Sequence, residues 1–320
     1  MPTSSLSRRT ALLGTLAGAA AASVPAFGAA PQDAPATIQD AVQFELGGEE
    51  GRDPWRVVLY VPPGEAPAAG WPVLYVLDGN ALTATAIDME RVQGPSLGDS
   101  GLRSRFAVVG IGYRTTHAYS AQRWWDYTPP PGRTYPPRMP GGQSMRTGGA
   151  DAFLRFIETT LKPAVARRCP IDRGRQALFG HSFGGLFVLY ALAQDPSAFS
   201  HWIAASPSIF WEDLAILPSI ERLERARAAS ARVLLSAGEY EADLAPFQAN
   251  APDRDTLRAR LAVAQTVSRA RDMAARLGRI PGIECGFRLI PGRTHVTVLP
   301  EALNDGVAFA FGSGVASGTP

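Results

Sequence analysis

Short apolar-rich runs alternate along this chain with stretches whose apolar residues recur every three or four positions. The runs are Pro72–Leu77, Phe106–Ile111, Gln176–Phe179, Trp202–Ala205, Arg232–Ser236 and Glu284–Ile290. Near-continuous apolar runs are expected of parallel strands covered on both faces, because neither row of side chains meets water. Between them, Ala150–Arg168 places Phe153, Phe156, Ile157, Leu161 and Val165 at helical spacing. Gly184–Gln194 is apolar on most sides and predicts a buried helix against the sheet, and Asp255–Leu277 predicts one longer amphipathic helix. Val42–Leu46 and Trp55–Val61 read as the paired strands of an edge hairpin. Strands alternating with helices predict an α/β fold, a doubly wound and mostly parallel sheet with an antiparallel N-terminal edge hairpin, in one domain over residues 42–312.

Two segments break the alternation. Residues 115–149 form a long loop rich in Pro and Gly, and loops of that size inside a compact domain are usually functional or disordered. Residues 207–230 begin as a loop and can hold a short cap helix, while residues 313–320 read as a flexible tail.

Composition adds boundaries. The chain has 320 residues, 46% hydrophobic and 19% charged, which is ordinary globular usage and excludes disordered, collagenous and coiled-coil classes. Ser7-Arg8-Arg9-Thr10 followed by an Ala- and Gly-rich apolar run is a twin-arginine pattern, and Pro25–Ala30 supplies small residues for cleavage. Residues 1–30 therefore read as a twin-arginine signal peptide and 31–41 as a linker, and the expected destination is the periplasm or beyond. The apolar run is too short for a stable membrane span. Arg8 and Arg9 account for the formal charge of +2, so the mature chain lacks the field of a nucleic-acid binder. Cys169 and Cys285 are expected as free buried thiols, with pairing in an oxidising compartment as the alternative.

The candidate chemistry begins at Gly180-His181-Ser182-Phe183-Gly184, followed by Gly185. This G-x-S-x-G sits between an apolar strand and a buried helix, the context in which a serine is held on a sharp turn as a nucleophile. The backbone N–H of Phe183 then lies at a helix N-terminus, where it can serve as one oxyanion donor. The second donor is expected from Asp78-Gly79-Asn80 after the third strand, through the N–H of Asn80. Of four histidines, His295 in the loop after the last strand is expected as the base, since the chain order Ser, acid, His puts it there. His181 is expected to pack or hydrogen-bond structurally, His201 opens a strand at the wrong edge, and His117 sits in the long loop. The acid is expected just after Arg232–Ser236, where Glu241 is preferred over Glu239 and Asp243, and a Ser–His dyad remains open.

Further segments occur in a fixed order: Tyr75–Asn80, Val109–Tyr113, Asp126-Tyr127-Thr128-Pro129, Gly148-Gly149-Ala150, Gly180–Gly185 and Ala205-Ser206-Pro207-Ser208 with Trp211. Over roughly residues 40–310 this series resembles the esterase D-like family of α/β-hydrolases, in particular bacterial siderophore esterases that cleave enterobactin- and salmochelin-type trilactones. The resemblance implies Ser182 as nucleophile and His295 as base, and leaves the acid open. Independently, residues 114–149 carry Arg114, Arg123, Arg133, Arg138 and Arg146 against one acid, Asp126, interleaved with Trp124, Trp125, Tyr127 and Tyr135. Guanidinium groups beside aromatic faces suit an anionic, ring-bearing ligand such as a ferric catecholate, which marks Arg114, Arg123, Trp124 and Tyr127 as candidate substrate contacts. The resulting expectation is an exported serine esterase acting through an acyl-enzyme on a small-molecule ester. Such chemistry needs no metal and no organic cofactor, although iron can arrive with a ferric siderophore. The alternatives are an acyltransferase on the same fold and a non-catalytic periplasmic siderophore binder.

Overall fold

In the computed structural model, residues 36–48, 53–137, 144–226 and 230–313 are described. The predicted signal peptide, residues 31–35 of the linker, Arg138 and all but the first residue of the tail lie outside them. The chain divides into a unit ending at Thr37 and a compact unit from Ile38 onward.

Ten strands form in chain order: β1 (Ala41–Leu46), β2 (Trp55–Tyr60), β3 (Trp71–Leu77), β4 (Ala107–Tyr113), β5 (Thr134–Tyr135), β6 (Met145–Arg146), β7 (Ile171–His181), β8 (His201–Ala205), β9 (Ala231–Gly238) and β10 (Ile283–Ile290). Eight of them build one sheet in the order β1-β2-β4-β3-β7-β8-β9-β10, and β5 with β6 makes a separate two-stranded hairpin. Strands β4, β3, β7, β8, β9 and β10 run parallel, while β2 is antiparallel to both β1 and β4. This is the doubly wound, mostly parallel α/β sheet with an antiparallel edge hairpin that the hydrophobic pattern predicts.

The apolar runs are buried for the expected reason. Every residue of β3, β4 and β8 is shielded from water, because helices cover both sheet faces. On one face lie the helices Phe183–Gln194, Leu217–Arg225 and Thr266–Leu277, together with the segment from Ala150, packed around Phe187, Tyr190 and Trp202. On the other, the helices Gly79–Gln93 and Leu299–Phe311 cover Leu74, Val76, Phe179 and Ile203. The helix Phe183–Gln194 is buried from Gly184 through Ala193, so a side chain at its N-terminus is held by the whole core.

One segment differs from the sequence-based expectation. The single helix over Asp255–Leu277 is two helices, Arg254–Ala264 and Thr266–Leu277, broken at Gln265 in the left-handed region (φ 46°, ψ 40°). The first half buries no residue, so no packing holds the two halves in line. Within 207–230 the described residues hold a short helix Trp211–Leu214, whose Trp211 lies on Phe183, and a helix Leu217–Arg225, whose Ile220 and Leu223 enter the core. Within the long loop 115–149, the described residues include a helical turn Arg123–Asp126 and the paired strands β5 and β6. Cys169 and Cys285 are both free thiols, and burial raises the pKa of each.

Candidate active site

Parallel strands deliver their following loops to one edge of the sheet, and in open α/β sheets ligands bind at that carboxyl edge. Ser182, Glu241 and His295 come from the loops after β7, β9 and β10. Ser182 sits at φ 60°, ψ −116°, a strained backbone for a residue with a Cβ. The turn holds because its neighbours are small. A Cβ on Gly180 would collide with the Gly184 carbonyl oxygen, and one on Gly185 would approach the Ala205 carbonyl oxygen to 2.9 Å. Backbone bonds lock the turn to β8: Ser182 N–H donates to the Ala205 carbonyl at 3.0 Å, and Ser208 N–H donates to the Ser182 carbonyl at 3.0 Å.

The hydroxyl so presented meets the predicted imidazole. Ser182 Oγ lies 3.0 Å from His295 Nε2, and His295 Nδ1 lies 2.6 Å from Glu241 Oε2. Glu241 is therefore the carboxylate brought to His295. Of its rivals, Glu239 is exposed and accepts the Gly292 N–H at 2.7 Å, which anchors the His295 loop, and exposed Asp243 accepts from Leu244 N–H at 2.7 Å. Tyr240 N–H donates to the Arg293 carbonyl at 2.8 Å, a second tie between the acid turn and the histidine loop.

Proton positions follow from donor counting. Three donors converge on Glu241: His295 Nδ1–H, the Ser206 hydroxyl at 2.5 Å and the Gly238 N–H at 2.8 Å, the last two on Oε1. An ionised carboxylate only accepts, so it satisfies all three. Nε2 of the neutral imidazole is then bare and accepts the Ser182 hydroxyl proton. Ser182 Oγ in turn accepts from the Ser208 hydroxyl, 3.3 Å away. A hydroxyl bonded to an oriented imidazole can lose its proton as it attacks an electrophile.

His181 plays the structural part expected of it. Its Nε2 lies 2.8 Å from the His295 carbonyl and, as donor, holds the loop that carries His295. Burial, followed by the neighbouring His295 ring, pushes its pKa well below the ordinary value and keeps it neutral. His201 opens β8 at the amino edge, away from the site, and His117 is exposed in the long loop.

Phe183 is the first residue of its helix and Asn80 the second residue of the helix Gly79–Gln93, positions whose N–H groups have no partner within the helix. The two termini adjoin, since a Cβ on Gly184 would sit 3.6 Å from Asp78 Oδ2 and from Leu77 Cβ. The side chain of Asn80 clamps the end of β4: its Oδ1 accepts Tyr113 N–H at 2.7 Å, and its Nδ2 donates to the carbonyls of Tyr113 and Thr115 at 3.1 Å each.

The expected ligand contacts of the long loop divide. Arg123 is buried, and its Nε and Nη2 donate to both carboxylate oxygens of Asp78 at 2.8 and 2.9 Å. Tyr127 is fully buried, with its hydroxyl accepting Asp78 N–H at 3.0 Å. Both are buried, a correction to the expected ligand contacts that follows from the pairing of Arg123 with buried Asp78. Arg114 is exposed but paired with Glu45 at 2.9 Å on β1. Trp124 does reach the nucleophile turn: its ring centroid lies 4.6 Å from that of Phe183 and 5.6 Å from that of Trp211. Trp211, which the substrate expectation omitted, also packs on Phe183 and on Tyr135, at 5.0 and 5.7 Å. These four partly exposed rings form an aromatic cluster beside Ser182. Arg133 and Arg146 are exposed, the latter over the Trp125 ring. Among the described residues no cluster of His, Cys, Asp or Glu could hold a metal ion, and no helix is long and apolar enough to cross a membrane.

Fold and site together define an α/β-hydrolase with a serine, histidine and glutamate in hydrogen-bonded series. The family model described as "Putative esterase" matches residues 50–279, and the chain belongs to that family. It is 34% identical over 263 residues to the ferri-bacillibactin esterase BesA of Bacillus subtilis, covering 80% of this chain and 84% of that one. Over 223 residues it is 34% identical to the siderophore triacetylfusarinine C esterase of Aspergillus fumigatus, covering 65% and 70%. Among solved structures, the siderophore hydrolase EstB of Aspergillus nidulans superposes with a TM-score of 0.75 at 26% identity, over 89% of this chain and all of that one.

Proposed function

We propose that this chain is an exported serine esterase that opens the ester backbone of a catecholate-type siderophore through an acyl-enzyme. The observation that carries the reading is the unbroken series Ser182 Oγ, His295 Nε2, His295 Nδ1, Glu241 Oε2, with links of 3.0 and 2.6 Å. In this reading Ser182 Oγ attacks the ester carbonyl while its proton passes to His295 Nε2, and buried Glu241 stabilises the imidazolium. The N–H groups of Phe183 and Asn80 receive the oxyanion, a contribution typically worth about 10²- to 10³-fold per donor. Collapse of the tetrahedral intermediate breaks the C–O bond, and His295 returns the proton to the leaving alkoxide. Water, deprotonated by the same imidazole, then releases the acid and restores Ser182.

Substrate class is supported by two things. The named relatives act on siderophores. The cluster of Phe183, Trp124, Trp211 and Tyr135 offers stacking surface to planar rings beside the nucleophile, and exposed Arg133 and Arg146 supply positive charge nearby in sequence. Export rests on Ser7-Arg8-Arg9 and the apolar run behind it. The test is turnover of a p-nitrophenyl ester and of a panel of catecholate and hydroxamate trilactones by the wild-type protein and by Ser182→Ala. The expected result is loss of at least about 10³-fold in kcat with an unchanged thermal melt. Full activity in Ser182→Ala would overturn the reading, and cleavage of hydroxamates alone would overturn its substrate half.

A further inference from the structure

The acid of this site is a glutamate, one methylene longer than an aspartate, and a longer side chain has one more torsion to fix. The residue that fixes it lies on neither the acid's own turn nor the histidine loop. Ser206, just past the end of β8, is fully buried and at φ 43°, a left-handed backbone costly for a residue with a Cβ. Its N–H donates to the Ser236 carbonyl on β9 at 2.7 Å, and its hydroxyl reaches Glu241 Oε1 at 2.5 Å. The Gly238 N–H completes the hold on the same oxygen, leaving Oε2 for His295. Two positions further on, Ser208 bonds the Ser182 carbonyl through its N–H and touches Ser182 Oγ through its hydroxyl. One short segment, Ser206-Pro207-Ser208, thus holds the acid at one end and the nucleophile turn at the other.

We propose that Ser206 is a positioning residue for catalysis, whose hydroxyl fixes the Glu241 carboxylate in the orientation that directs Oε2 at His295 Nδ1. The strained backbone fits that role, since it is maintained at a position where glycine would be easier. The inference rests on the serine-esterase reading. Without the hydroxyl, Oε1 keeps only the Gly238 N–H and the carboxylate can rotate away from Nδ1. The imidazole then spends less time in the tautomer and orientation that accept the Ser182 proton.

The experiment uses the full chain, the same p-nitrophenyl ester, and the variants Ser206→Gly and Ser206→Ala, alone and in a Glu241→Gln background. Glycine deletes the hydroxyl while tolerating the backbone; alanine deletes it and keeps the Cβ. Both are expected to lower kcat by about tenfold to a hundredfold, the scale of a hydrogen bond to a charged group, with KM little changed. In the Glu241→Gln background neither should lower kcat further, because the group they position is already gone. Wild-type kcat in Ser206→Gly would overturn the inference, as would a loss of the same size in both backgrounds, which marks a general structural effect. Ser182→Ala run alongside separates the two levels: activity that survives it defeats the serine reading itself, whereas activity that needs Ser182 but not the Ser206 hydroxyl defeats only this inference.

Discussion

Two buried carboxylates stand at the carboxyl edge of the sheet, one residue beyond β3 and three beyond β9, and they have opposite fates. Asp78 gives both oxygens to the guanidinium of Arg123, a cation that does not deprotonate, and the pair is sealed beneath the rings of Tyr127 and Phe183. Glu241 gives one oxygen to fixed donors and the other to an imidazole whose side chain is 42% exposed. The first arrangement can only hold the loop after β3 in place. The second joins a buried carboxylate to an imidazole that can take up and pass on a proton and reaches solvent. Placement at the strand ends is shared; the partner decides which carboxylate supports chemistry.

Substitutions can break that contrast. Glu241→Gln is expected to cost the most activity, about 10²- to 10⁴-fold in kcat, because an amide neither fixes the imidazole tautomer nor stabilises its charge. The melt should move little, so kinetics and calorimetry together check it. Arg123→Met is the mirror case: it leaves Asp78 charged, buried and unpaired, and should destabilise the protein by about 3–5 kcal/mol in denaturant unfolding. Adding Asp78→Asn should recover part of that loss, since asparagine tolerates the left-handed backbone of position 78, where φ is 51°. If Arg123→Met instead left stability intact and raised KM for anionic substrates, the guanidinium would be a ligand contact after all.

A smaller effect concerns His201 at the opposite edge. Burial, then the neighbouring Arg232, lowers its pKa to about 4. Unfolded, it would titrate near 6.5, so between those values the unfolded chain binds the extra proton and stability falls as pH falls. The loss is at most about 3 kcal/mol at pH 4. His201→Gln should flatten the slope of unfolding free energy against pH through that window, leaving the contribution of buried His181, which has the same sign.

The contrast also explains what could be read from the chain and what could not. The turn at Ser182 was legible because backbone geometry dictates it: Gly180 and Gly185 face backbone atoms that exclude a Cβ, so the residue types follow from the turn. Strands β3, β4 and β8 were legible because burial on both faces demands unbroken apolar runs. Glu241 stood out only as one of three nearby acids, and the turn Glu239–Glu241 decides among them by pointing its last residue inward. Arg123 could not be placed by composition, because a guanidinium among aromatic rings reads alike whether it faces a ligand or a buried acid. Asp78, the buried acid that claims it, lies 45 positions away. Ser206 and Trp211 were visible only as members of a familiar series. Their contacts, with Glu241 from the loop after β9 and with Phe183 and Tyr135, exist only once the sheet order brings the loops together. The break at Gln265 left no mark in the helical periodicity, which runs through it on both sides.

In the proposed mechanism the Ser182 hydroxyl is made nucleophilic by His295. A fluorophosphonate probe reports it directly, since its electrophilic phosphorus is captured, with loss of fluoride, only by an activated hydroxyl. Intact-mass and peptide analysis of the treated protein should show one adduct, on Ser182, forming at least about 10²-fold more slowly in His295→Ala. An adduct on another residue, or labelling of Ser182 at the wild-type rate without the imidazole, would contradict it.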